Sequence, residues 1–180
     1  SAGRHVPAEI VRLTGITDEM LLAHGLDKPD AAGRFASFIA GEKVLIVAYN
    51  AQFDLGFLYY FLKRCGCADC LRGRRFLDAL TVFRDRRPYP HRLENAIEAY
   101  GLTETAHNSH RALDDAIATL QLLQAMGEEK DDLAAYINLF GTHPRFGVSG
   151  KPVRSIRYFP QPHGEPAPLY ELVEQFDERE

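Results

Sequence analysis

The sequence lacks several features that would place it in a specialised class of protein. Its 180 residues include no tryptophan, only three cysteines and no apolar run of the length, about 18 residues, that would cross a membrane. The sequence therefore predicts no membrane-spanning helix. The cysteines, Cys65, Cys67 and Cys70, are too few and too close together to form a disulfide framework. This favours a reducing compartment and predicts a cytoplasmic location.

An overall excess of positive charge is also missing, because the net charge is −4 at pH 7. The composition as a whole thus gives no indication of nucleic-acid binding. The local distribution differs, since residues 63–92 contain nine Lys and Arg against three Asp. Such a basic stretch can contact phosphates, although runs of charge more often form a solvated face.

The composition that remains is that of an ordinary globular protein, with 46% hydrophobic and 26% charged residues. Residues 1–140 are predicted to form one domain. Residues 141–180 hold six of the ten prolines, and we expect them to form an extension that packs on this domain.

Hydrophobic periodicity predicts alternating strands and helices. The continuous apolar run at residues 43–48 has the pattern of a buried parallel strand, and Thr17 has the position of a helix N-cap. Residues 76–83 are predicted to pass from strand into helix, and residues 84–90 to form a basic loop. Helices are predicted over 29–40, 53–64, 92–100, 116–126, 131–140 and 169–176, and a strand over 154–159. This order indicates an α/β fold.

One candidate site residue follows the first predicted strand. Asp54 lies six residues beyond Ala48, and ligand sites of α/β proteins lie beyond the carboxyl ends of strands. The alternative is that Asp54 only interacts favourably with the helix dipole. A carboxylate in the first turn of a helix stabilises it by roughly a few tenths of a kcal/mol. The helix from Phe53 is predicted to bury Phe57, Leu58, Phe61 and Leu62.

The second candidate stretch is His110-Arg-Ala-Leu-Asp114-Asp115-Ala, at the start of a long helical pattern. Histidine titrates near neutral pH, and carboxylates are suitable ligands for hard cations such as Mg²⁺. His110 and Asp115 are five positions apart, which places them about 140° apart on a regular helix, so the two converge only if His110 precedes the helix. Asp114 fits a continuous helix better and is otherwise expected to face solvent. The alternative for His110 is a residue that merely starts the helix.

The three cysteines admit two interpretations. Cys65, Cys67 and Cys70 could hold Zn²⁺, and the protein would then be a zinc-stabilised adaptor. A structural zinc site needs four ligands, however, and the sequence has no second cysteine pair. A glycine-containing loop with incidental thiols is the favoured interpretation.

Taken together, the motifs carry a resemblance to a known family. Asn50-Ala-Gln-Phe-Asp54-Leu-Gly-Phe-Leu58 and the His110–Asp115 stretch resemble the second and third motifs of the DnaQ-like (DEDDh) 3′–5′ exonucleases. This family includes the proofreading subunit of bacterial replicative polymerases. Residues 13–20 resemble the family's approach to its first helix, and residues 76–80 resemble its segment between motifs two and three. The resemblance implies a ribonuclease H-like fold, a mixed sheet flanked by helices, and hydrolysis at the 3′ end of nucleic acid with two Mg²⁺ or Mn²⁺ ions.

The resemblance also implies roles for individual residues. Asp54 and Asp115 would be metal ligands, and His110 would be the general base that deprotonates the attacking water. Asn50 and Phe53 would lie beside the terminal nucleotide, although Asn50 could equally cap the helix that follows. The expected substrates are single-stranded 3′ ends of DNA or RNA, and a polymerase is an expected partner.

The sequence departs from the family pattern in two places. The first motif, Asp-x-Glu after a strand, belongs several tens of residues before Leu13, so we expect the N-terminal strands and two of four carboxylates to be absent from this chain. The alternative function is therefore a catalytically incomplete nucleic-acid-binding or interaction module derived from the family. Tyr49 stands where the family often has histidine. Asp78, within the intervening segment, is expected to be structural.

Overall fold

The computed structural model describes residues 5–106, 111–162 and 167–179. Within these ranges the chain forms a mixed α/β structure with eight α-helices, four short strands and two 3₁₀ helices. The helices are α1 (Ala8–Thr14), α2 (Asp18–His24), α3 (Lys28–Phe38), α4 (Ala51–Arg64), α5 (Ala79–Arg86), α6 (Leu93–Ala99), α7 (Ala112–Glu129) and α8 (Leu169–Asp177). The strands are β1 (Leu45–Ala48), β2 (Arg75–Asp78), β3 (Leu139–Thr142) and β4 (Arg157–Pro160). None of the described helices is long and apolar enough to cross a membrane.

The strands form two parallel pairs that a single asparagine connects. β1 pairs with β2, so that Ala48 lies opposite Asp78, and β3 pairs with β4. Asn138 exchanges two hydrogen bonds of 2.8 Å with the backbone of Phe76, accepting with Oδ1 and donating with its own N–H. Its left-handed backbone, with φ of 59°, is a conformation that asparagine tolerates better than most residues. Asn138 thus aligns β3 beside β2.

Two hydrophobic clusters lie on opposite sides of these strands, as the alternation of side chains along a strand requires. Phe76 packs with α3 and α4, where Ala32, Leu55 and Leu62 are buried. Leu77, its neighbour, packs with residues of α5, α7 and α8. The strands therefore separate two layers of helices.

Several sequence predictions are confirmed. The strand at 43–48 forms as β1, residues 76–83 pass from β2 into α5, and Thr17 caps α2 by accepting the Met20 N–H at 3.3 Å. The helix predicted at 53–64 extends over residues 51–64.

Other predictions are wrong in their details. Residues 131–140 form a 3₁₀ helix at Leu133–Tyr136 and then β3, because the left-handed Asn138 ends helical geometry and pairs with β2. The predicted basic loop begins later than expected, since α5 continues to Arg86. Phe57, which was expected to be buried, is 69% exposed.

The Pro-rich segment contributes to the same core. β4 lies beside β3, and Leu169 and Val173 of α8 are buried in the cluster that contains Leu77. The Leu169 N–H also donates to Asp85 at 2.7 Å. The division at residue 140 stays a prediction, because these contacts do not define a domain boundary.

Candidate active site

Asp78 connects the end of β2 to the starts of two helices. Its Oδ1 accepts hydrogen bonds from the N–H groups of Ala51, at 3.1 Å, and Leu80, at 3.2 Å. Its Oδ2 accepts the Thr81 hydroxyl at 3.0 Å. The carboxylate is buried, and desolvation raises its pKa although these hydrogen bonds oppose the shift. The contacts agree with the structural role expected for Asp78, and they fix where α4 begins.

Asn50 directly precedes α4 in a left-handed conformation, with φ of 64°. It has the N-cap position, yet its side chain makes no capping hydrogen bond, and Asp78 accepts the Ala51 N–H instead. The capping interpretation of Asn50 is therefore wrong. Its side chain is exposed beside the start of α4, and the predicted contact with substrate stays a prediction.

Phe53 and Asp54 lie in the first turn of α4. Phe53 is 59% exposed, and its ring centroid is 5.0 Å from that of Phe57. Asp54 remains accessible to solvent, but desolvation by nearby protein atoms raises its pKa, and the charge of Asp78 raises it further. A cation that binds at Asp54 would displace its proton more readily as the pH rises.

Asp115 differs from Asp78 in having an oxygen without a hydrogen-bond partner among the described residues. It lies in the first turn of α7, and its Oδ1 is buried without a hydrogen-bond partner in the part of the chain that the structure describes. Leaving a buried acceptor unpaired costs about 1–3 kcal/mol. A bound cation would remove this cost, so the donor chemistry of Asp115 fits a hard metal ion. Asp114, expected to face solvent, is instead partly buried.

Position 110 cannot be placed against these carboxylates, because His110 lies outside the described residues. The described part of α7 begins at Ala112, with Arg111 as its N-cap residue. The Arg111 Nε donates to the carbonyl of Thr14 at 2.8 Å and so ties the start of α7 to the end of α1. The sequence contained no signal for this contact, which spans 97 residues.

The turns that carry the two candidate carboxylates lie beside the same strand. Ala116 and Thr119 of α7 line a cavity of about 300 Å³ together with Ile46 and Val47 of β1. β1 in turn leads into α4 and Asp54. Among residues 5–106, 111–162 and 167–179, no group of three His, Cys, Asp or Glu side chains has the arrangement of a metal site. The described residues therefore include individual candidate ligands and no complete site.

Tyr49 is turned towards the core side of the strands. Its hydroxyl donates to the carbonyls of His91, at 3.0 Å, and Arg92, at 3.2 Å, while its ring lies 6.5 Å from that of Phe83. Burial raises the pKa of Tyr49 above its usual range. Tyr49 therefore has the contacts of a packing residue.

The basic stretch at residues 63–92 uses several of its arginines inside the protein. Arg74 donates to the carbonyls of Cys70, Ala40 and Gly41. The Arg86 side chain is only 8% exposed, and it donates to the Met126 carbonyl, to Glu129 and to Asp132. These arginines hold helices together, so the stretch is not one continuous surface for phosphate binding.

The three cysteines lie within the same stretch of residues, 63–92. The thiol of Cys67 donates to the Cys65 carbonyl at 3.5 Å, and all three cysteines pack against the cluster that contains Leu62 and Phe76. The thiols are partly buried.

Comparison with known proteins gives consistent matches over most of the chain. A family model described as exonuclease, of the RNase T type, matches residues 2–123. The chain is 32% identical over 130 residues to the DNA polymerase III subunit epsilon of Treponema pallidum, an alignment that covers 68% of the chain and 56% of the relative. It is 35% identical over 127 residues to the PolC-type DNA polymerase III of Bacillus subtilis, covering 68% of the chain and 8% of the relative. It is 31% identical over 120 residues to the 3′-5′ exonuclease DinG of Staphylococcus aureus, covering 66% of the chain and 13% of the relative. The chain thus spans about half the length of the first of these relatives and much less of the others.

Proposed function

The chain belongs to the RNase T-type exonuclease family, and on that premise we propose that its protein removes nucleotides from 3′ ends of nucleic acid by metal-dependent hydrolysis. Its mixed α/β architecture is that of the ribonuclease H-like exonuclease domain. The observation that carries the proposal is the buried Oδ1 of Asp115, which has no hydrogen-bond partner in the described residues. In an exonuclease, such an oxygen is suited to a divalent cation.

The proposed roles follow from the chemistry of each side chain. Asp54 and Asp115 would hold Mg²⁺ or Mn²⁺, two ions in the complete site. Bound in this way, the ions would stabilise the charges that develop on the attacking and leaving oxygens. His110 would accept the proton of the attacking water, since imidazole titrates close to neutral pH. Asn50 and Phe53, exposed beside Asp54, would orient the terminal nucleotide through the amide and the aromatic ring.

The relatives suggest a setting for this activity. Two of them are named as DNA polymerase III proteins and one as a 3′-5′ exonuclease. We therefore propose DNA as the first substrate to test and a polymerase as the partner. A protein that acts beside such a polymerase would work in the cytoplasm, as the low cysteine content predicts.

The direct test uses the complete protein and single-stranded DNA and RNA oligonucleotides labelled at the 5′ end, with Mg²⁺, Mn²⁺ or EDTA. We expect progressive shortening from the 3′ end with either metal and none in EDTA. Asp115→Asn should lower kcat/KM by about 100-fold, equivalent to about 3 kcal/mol of transition-state stabilisation. His110→Ala should cause a loss of similar order, about 100-fold or more.

Asp114→Asn is the matched control, because it changes the neighbouring acid in the same helical turn. Calorimetric titration with Mn²⁺ in the absence of nucleic acid gives a second readout, in which Asp115→Asn should weaken binding. Full activity of Asp115→Asn would refute the site assignment. Binding of oligonucleotides without cleavage by any metal would instead favour the interaction module.

A further inference from the structure

A cavity that reaches the candidate site at Phe53 runs along the outer face of α4. It has a volume of about 810 Å³ and begins beside Gln52 and Phe53, next to Asp54. The start of α3 and the loop at residues 149–151 form its other walls. Apart from residues of the Asn50–Leu58 motif, the lining of this groove has no role in the proposed hydrolysis.

Three aromatic side chains form the floor of the groove. Phe53, Phe57 and Tyr60 are 59%, 69% and 56% exposed, and their spacing of i, i+4 and i+7 places them on one face of α4. Over this distance the helix rises about 10 Å. Exposed aromatic patches of this kind mark binding surfaces, and aromatic rings stack with nucleic-acid bases irrespective of sequence.

The charged residues that line the groove are all positive. Lys28, Arg64 and Lys151 are exposed at its margins, and no acidic residue is among the described residues that line it. A row of aromatic rings between cations complements a strand of stacked bases with phosphates on its outside. An apolar protein surface would offer these cations no opposite charge, so the charge pattern favours a polyanion.

The wall that faces α4 is held in place by hydrogen bonds. The Gln52 Nε2 donates to the carbonyls of Ser149, at 2.9 Å, and Lys151, at 3.0 Å, while its Oε1 accepts the Tyr158 hydroxyl at 2.6 Å. The Lys151 ammonium lies 4.2 Å from the ring centroid of Tyr59 and donates to its hydroxyl. An ammonium has three donors, so Lys151 retains capacity for a phosphate.

We propose that this groove binds the single-stranded segment next to the 3′-terminal nucleotide, with bases stacked on Phe57 and Tyr60 and phosphates contacting Lys28, Arg64 and Lys151. At 3.4 Å per nucleotide, a 10 Å row holds about three nucleotides. The placement of the terminal nucleotide at Phe53 rests on the proposed function. The binding of single-stranded nucleic acid along α4 does not require hydrolysis.

The test measures the binding of fluorescein-labelled dT10 by anisotropy, with the complete protein in EDTA so that no cleavage occurs. We expect Phe57→Ala and Tyr60→Ala each to weaken binding by about tenfold, within the range for loss of one stacked base. Arg64→Ala and Lys151→Ala should each reduce the slope of log K against log salt by about 0.7, the value for one single-strand phosphate contact. Phe38→Ala is the matched control, because Phe38 is an exposed helical phenylalanine that does not line this groove.

The outcomes separate this inference from the proposed function. Loss of dT10 binding in Phe57→Ala supports the groove even if the parent protein never hydrolyses DNA. Unchanged dT10 binding in all four groove variants overturns the groove, even if metal-dependent hydrolysis is found. Absence of binding to both dT10 and an equivalent RNA also overturns it. The proposal is also overturned if sedimentation shows that the parent protein is a dimer and that Phe57→Ala is a monomer. A second copy of the chain would then occupy the groove. Circular dichroism checks that each variant is folded.

Discussion

Replacement of Asp78 should show how strongly one buried carboxylate positions the helix that carries Asp54. Asp78→Ala removes the acceptor of the Ala51 N–H, the Leu80 N–H and the Thr81 hydroxyl. Loss of a helix N-cap costs about 1 kcal/mol, and a buried donor left unpaired costs about 1–3 kcal/mol. The variant no longer buries a carboxyl group, and the desolvation cost that is avoided offsets part of these losses. We expect the free energy of unfolding to fall by about 3 kcal/mol, a large share of the 5–15 kcal/mol typical of a domain, in rough terms.

Asp78→Asn separates the hydrogen bonds from the charge. Both backbone N–H groups bind Oδ1, so the asparagine oxygen can keep both of them. Burial raises the pKa of Asp78 above its ordinary value of 3.8, so the folded protein binds more protons than the unfolded chain between the two pKa values. The stability contribution of Asp78 therefore falls as the pH rises through this window. Asparagine does not titrate, and the variant should gain stability relative to the parent from about pH 4 upwards.

The assay is urea unfolding of parent and variants, followed by circular dichroism from pH 4 to pH 7. The m-value should stay constant, so that a shift of the midpoint reports stability. Asp69→Ala is the matched control, since its side chain is 90% exposed and pairs only with the exposed Arg72 among the described residues. It should change stability by less than about 0.5 kcal/mol. The reasoning is wrong if Asp78→Ala is no less stable than Asp69→Ala, or if the Asp78→Asn difference does not vary with pH.

Two further predictions concern Arg86, which joins α5 to the end of α7, and Asn50, which precedes α4. Arg86→Met removes the cation 2.5 Å from Asp132, which is 10% exposed but keeps Lys130 at 3.0 Å. It should destabilise the protein by about 1.5–3 kcal/mol in urea unfolding. A double variant with Asp132→Leu should recover part of this loss, and a lack of recovery would mean that the two residues are not coupled. Asn50→Gly keeps the left-handed backbone and should change stability by less than about 0.5 kcal/mol, whereas Asn50→Ala should cost about 1 kcal/mol. If the amide contacts the terminal nucleotide, both Asn50 variants should raise KM in the oligonucleotide assay, and unchanged kinetics in Asn50→Gly would refute that contact.

Local sequence predicts correctly those helices and strands whose signals lie entirely within their own segment. The apolar run of β1 and the N-cap at Thr17 need no distant contact, and both form as expected. The segment at residues 131–140 has helical spacing as well, but its second half is decided by Asn138, which pairs with Phe76 across 62 residues. Periodicity within the segment contains no information about that partner.

The candidate site shows the same limit. Periodicity predicts that α4 is amphipathic, and Leu62 is buried as expected. It also assigned Phe57 to the buried face, whereas Ala51 and Leu55 are buried instead. The aromatic ring of Phe57 is apolar, so composition alone favoured the interior. The exposed face of α4 becomes evident only when the positions of α3 and the 149–151 loop are known.

The hydrogen-bond partners of the carboxylates distinguish residues that hold the fold from residues that remain available for chemistry. Asp78 directs both oxygens to three donors of its own protein, so it has little capacity left for a ligand. Asp115 has a buried oxygen that no described donor reaches, and Asp54, in the first turn of α4, stays accessible to solvent. Because Asp78 accepts the Ala51 N–H, it also fixes the first turn of α4, where Asp54 lies. A change at Asp78 should therefore reduce activity by moving Asp54, whereas a change at Asp115 should weaken the proposed metal binding and leave α4 in place.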